Sequence, residues 1–174
     1  VLASILLILA PLAASRARET LPPASAALYF LAIGFAFMFM EIAFIQKFIL
    51  FLSHPLYALA VVLCAFLIFA ALGSWLAGRK QGRAAGVRSV TTAIAVLGMV
   101  AVLYLALLPD LFDALIHLPD PAKIGISAAL IALPDICMGI PFPTGMARLA
   151  CTAQDAIPWA WAINGFASVV GAVL

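Results

Sequence analysis

Charge is scarce in this chain. Lys and Arg number 9 and Asp and Glu 7 among 174 residues, so charged groups are 9% of the sequence; a soluble domain carries about a quarter. Hydrophobic residues fill 67% of the chain, and its mean hydropathy is +1.25. A water-soluble fold could not hide that much apolar surface, so the expected solvent is lipid. The near-even charge balance, with no basic tract interleaved with aromatics, excludes a nucleic-acid footprint. Cysteine is also sparse. Cys64, Cys137 and Cys151 form no CxxC pair, which excludes a zinc or disulfide framework. Cys64 and Cys137 lie inside apolar runs and read as small buried hydrophobes. No GxGxxG, Walker loop, HExxH or nucleophile elbow occurs, so no cofactor and no soluble catalytic constellation is legible. Whether the protein is an enzyme is left open by this chain.

What is present is a series of apolar runs. Six segments can be marked, at about 1–14, 26–52, 56–77, 89–108, 122–140 and 157–174, each bounded by charge or by Pro/Gly punctuation. The expectation is an all-α, polytopic transmembrane helix bundle of about six helices, a single domain over 1–174. Val1 to Ala14 has no Met and no basic n-region, which does not fit an intact signal peptide. The last run stops at Leu174 without a polar exit, and the chain reads as a fragment of a longer protein, cut at one or both ends. Only Ser53-His54-Pro55 separates the second and third segments, which predicts a tight antiparallel hairpin.

If the segments alternate, the connectors at 15–25, 78–88 and 141–156 share one side. They hold Arg16, Arg18, Arg79, Lys80, Arg83, Arg88 and Arg148, against Lys47 and Lys123 opposite. By the positive-inside rule the basic side is cytoplasmic, in a bacterial inner membrane. On the outer side, Pro109 to Leu118 places Leu111, Phe112, Leu115 and Leu118 at helical spacing, with Asp110, Asp113 and His117 on the other face. This predicts a short separate helix in the interface, started by Asp110. Its acidic stripe either recruits a cation or is simply a solvated face.

Two acids fall at mid-depth. Glu41 is about 22 Å into the second segment, near the centre of a ~30 Å hydrocarbon layer. Gly34, Met38, Ile45 and Phe48 share its face, and a Gly there admits a neighbouring helix. Asp135 lies in LPDICMG, and the segment is expected to lose helical regularity at Pro134 or at Gly139. The following IPFPTG reads either as a broken helix lining a site or as a helix end turning into a cytoplasmic loop. Intramembrane ionisable groups mark functional sites by default. Glu41 and Asp135, with Gln46 and Asn164 as polar partners, are candidates for a cation or proton site; the alternative is hydrogen-bonded structural groups. Trp159 and Trp161 suit an interfacial aromatic belt.

The run IGFAFMFMEIAFIQKFILFLSHPLYALAVVLCAFLIFAALGS resembles a block of bacterial spermidine synthase-like membrane proteins. IPFPTGMARL and IPWAWAINGFASVVGAVL resemble two further blocks of that family. In it, a major-facilitator-like helical region is joined to an aminopropyltransferase-type domain. The resemblance implies the membrane region of such a fusion. With Glu41 and Asp135 supplying negative charge, the expectation is that it binds or moves a small cation, a polyamine or a proton; the alternative is a non-transporting anchor for a soluble enzyme domain or other subunits. The aminopropyltransferase domain is absent from these residues, so no catalytic residue carries over. A Gly is common in that family where this chain has Ser53. The facilitator likeness lacks the acidic residue expected between Gly73 and Arg79.

Overall fold

Ala24–Leu52 forms one helix of 29 residues, α1, and Pro55–Arg79 a second of 25 residues, α2. The structure is a computed structural model describing residues 22–79 and 83–174. Arg83–Leu115 (α3), Asp120–Met138 (α4), Pro141–Thr152 (α5) and Ile157–Val173 (α6) follow, with a short 3₁₀ turn at Gln154–Ala156. The described residues contain helices and no strands. Five stretches, Ala24–Leu52, Pro55–Arg79, Val87–Leu115, Asp120–Thr152 and Gln154–Val173, are long and apolar enough to cross a membrane. Leu67 is 72% exposed and Leu105 77%, an outer surface suited to lipid and not to water. The chain is a multi-pass membrane protein. The first expected segment, 1–14, and most of the connector 15–25 lie outside the described residues.

The chain divides into two compact units. In the unit that joins the described residues up to Met40 with Phe142–Leu174, α6 offers a face of Ala160, Asn164, Ala167 and Gly171 at helical spacing. Gly34 of α1 meets this face: a Cβ on it would come within 2.6 Å of the Asn164 carbonyl and 2.8 Å of the Ala167 Cβ. Small residues thus let two backbones approach where lipid supplies no hydrophobic drive between helices. Phe30, Leu149, Ala156 and Ala160 form the core beside this contact. Phe142 meets Phe30 and Trp161 edge-on at 5.6 and 4.8 Å. Trp161 is otherwise exposed, as an interfacial ring would be.

The unit Glu41–Pro141 holds the end of α1 with α2, α3 and α4. Phe44, Phe48 and Phe51 form a stripe down α1. Phe44 meets Phe66 of α2 at 5.7 Å and Tyr104 of α3 at 6.2 Å, and Phe51 stacks on Phe112 at 4.4 Å. Phe44 and Phe66 lie on either side of the Ser53 turn, so α1 and α2 form the antiparallel hairpin. Ser53 ends α1 with φ 59, the left-handed conformation of a helix C′ residue, and its N–H donates to the Ile49 carbonyl at 3.1 Å. A Gly reaches that conformation without strain.

The structure overturns one reading of the prolines and decides between alternatives in others. No separate interfacial helix starts at Asp110: α3 runs unbroken through Pro109 to Leu115, a helix of 33 residues. That is about 50 Å, longer than the hydrocarbon layer, so Pro109 removes a donor near an end where water can replace it. Nor does α4 lose regularity at Pro134. Pro134 leaves the Leu130 carbonyl without its helical N–H, and the Tyr104 hydroxyl of α3 donates to that carbonyl at 2.6 Å. Of the two expected positions, the break comes at Gly139-Ile140, and from Pro141 the segment is helical again: Pro141 and Pro143 stand in the first turn of α5, where a missing N–H is harmless.

Candidate functional site

α2 and α4 pack antiparallel at backbone contact. Gly73 lies against the Ile136 carbonyl and Gly139 against the Ala70 carbonyl, with no room for a Cβ at either position. Both contacts fall just after Asp135, at Ile136 and Gly139. The buried face of α4 carries Lys123, Ser127, Ile131 and Asp135, four residues apart, one turn above the next.

Asp135 is 0% exposed, and neither carboxyl oxygen has a hydrogen-bond partner among the described residues. The Ala70 peptide is close enough to interact with the carboxyl but does not reach hydrogen-bonding geometry. Glu41 of α1, half-buried, lies within electrostatic reach of Asp135. The two acids, on α1 and α4, therefore feel one another's charge. Asp135 is near the middle of the span Asp120–Thr152. An ionised carboxyl there, without donors, is strongly disfavoured, and two together more so. A proton or a cation would compensate both.

The other candidates fall elsewhere. Gln46 is exposed on α1. Asn164 belongs to the other compact unit, with its Oδ1 buried and without a partner among the described residues, while its main-chain carbonyl accepts from Ser168 at 3.0 Å. Asp110, Asp113 and His117 are exposed on the last turns of α3 and beyond. Among the described residues no group of three or more His, Cys, Asp or Glu is gathered for a metal ion. Cys137 is buried as expected, but Cys64 is exposed on α2, an apolar-run position that faces outward.

The sequence reading passed over Lys123, treating it as the edge of a connector. It is buried at 7% exposure, its ammonium 5.8 Å from the Phe51 ring centre, and Ser127 donates to its carbonyl at 2.8 Å. The four-residue spacing from Lys123 to Asp135 was the available signal. Comparison with known proteins gives no match to any protein-family model, curated protein or solved structure.

Proposed function

We propose that this chain is the membrane-embedded region of a spermidine synthase-like protein and that Asp135 with Glu41 binds a proton or small cation on its way across the bilayer. One observation carries the reading. Asp135 is wholly buried and has no hydrogen-bond partner among the described residues, with a second carboxyl in electrostatic reach. Such a pair favours states in which one proton or one cation is shared. Between the two proposed occupants, the geometry favours the proton. From Ile136 to Gly139, directly after Asp135, Gly73 and Gly139 close α2 onto α4 at backbone contact, and a polyamine would need those helices to part.

The seven-to-two asymmetry of basic residues orients the chain with Arg79, Arg88 and Arg148 in the cytoplasm of a bacterial cell and the Ser53 turn outside. A soluble aminopropyltransferase-like domain or further membrane subunits would be its partners. The second reading, a non-transporting anchor, draws on the same backbone contacts, which lock α2 to α4. Proton flux and labelled spermidine uptake, measured side by side in proteoliposomes, separate the readings. Proton flux that Glu41→Gln and Asp135→Asn abolish supports the proton site, spermidine uptake lost in both supports the polyamine, and neither flux in the parent leaves the anchor.

A further inference from the structure

A pocket of about 350 Å³ opens between the start of α3 and the end of α4, on a part of the protein the acid pair does not use. Its wall changes character along α3. Arg88 and Ser89, then Thr92, form the polar end; Ala93 and Val96 continue the same helical face into apolar surface, with Cys137 of α4 and Ile140 just beyond it also lining the pocket. Ser89, Thr92, Ala93 and Val96 are spaced at three, four and seven residues, so one face of α3 carries the gradient. Among the described residues no acidic group lines it. Arg88 is exposed, one residue into the apolar span that starts at Val87. The polar end of the pocket, at Arg88, therefore stands where the α3 span meets the headgroup layer, and the apolar end reaches deeper.

We infer that this pocket binds the headgroup of an anionic phospholipid, with the Arg88 guanidinium on the phosphodiester and the upper acyl chain along Val96 and Ile140. The guanidinium fork matches phosphate oxygens in pairs, and basic pockets between transmembrane helices take anionic headgroups. The Thr92 hydroxyl donates to the Arg88 carbonyl at 2.8 Å, which leaves its oxygen as an acceptor for a headgroup hydroxyl. Half of the wall is apolar, which suits a lipid and gives free phosphate nothing to hold. This inference is independent of the acid-pair reading.

The test is native mass spectrometry of the full chain released from nanodiscs containing equal phosphatidylglycerol and phosphatidylcholine. One phosphatidylglycerol should stay on the parent, fall about tenfold in retention in Arg88→Gln, and recover in part in Arg88→Lys. Val96→Trp fills the apolar half without touching the charge and should also lose the lipid; should that variant fail to insert, the Arg88 pair decides alone. Inorganic phosphate should not displace the lipid. Equal retention of the two lipids, unchanged retention in Arg88→Gln, or displacement by phosphate overturns the inference.

Discussion

The Tyr104 hydroxyl occupies the carbonyl of Leu130, the acceptor that Pro134 leaves without its helical donor. A proline in mid-membrane and a tyrosine on the neighbouring helix thus form one structural unit. Tyr104→Phe should destabilise the protein by about 1–2 kcal/mol, since it leaves a carbonyl unsatisfied in hydrocarbon. In a Pro134→Ala background the helix supplies its own N–H, and the same substitution should cost less than half as much. Unfolding of the four proteins in mixed detergent, compared as a double-mutant cycle, measures this directly. Equal effects in both backgrounds would detach the tyrosine from the proline.

Gly73 and Gly139 hold α2 and α4 at backbone contact. Gly73→Ala and Gly139→Ala each force the helices apart and should destabilise by about 1–3 kcal/mol. Gly98 of α3 has open space where a Cβ would go. Gly98→Ala should be neutral or stabilise by roughly 0.5–1 kcal/mol through helix propensity. Thermal unfolding of the three variants separates them in sign.

Much of this architecture is written in local composition. The runs from Ala26, Leu56 and Ile157 follow from apolar length alone, and all three are helices within a few residues of the expected bounds. What misled was punctuation. Pro109, Pro134, Pro141 and Pro143 all read as breaks, yet each is accommodated: by a helix end, by Tyr104, or by the first turn of α5. That outcome depends on what another helix or the interface provides, and one segment's sequence does not contain it. The site divides the same way. Glu41 and Asp135 stood out by type and depth. Their electrostatic coupling, and the burial of Lys123, depend on which faces of α1, α2 and α4 meet.

Ser53 holds a left-handed backbone, and a residue without a Cβ is better suited to it. Ser53→Gly should stabilise the α1–α2 hairpin by about 0.5–1 kcal/mol, and Ser53→Val should destabilise it by more. Unfolding midpoints of the two variants check the order; a more stable Val variant would contradict the turn geometry.

The proposed orientation places Arg79 and Arg88 in the cytoplasm and His54 outside. Single cysteines at these positions, in a background without Cys64, Cys137 and Cys151, should react with a membrane-impermeant thiol reagent from opposite sides. Whole cells should label position 54 only, and inverted vesicles positions 79 and 88. The reverse pattern would turn the protein over.

The most direct test concerns Asp135 and Glu41. Reconstituted protein is placed under a potassium diffusion potential, and proton entry is read with a pH dye inside the liposomes. Glu41→Gln and Asp135→Asn keep the shape of each side chain and remove its charge, so both should still insert, with the helical circular dichroism of the parent. The parent should carry protons at a rate well above empty liposomes, and both variants should fall to the empty-liposome rate. A parent no faster than empty liposomes, or variants that conduct like the parent, would contradict the proton site.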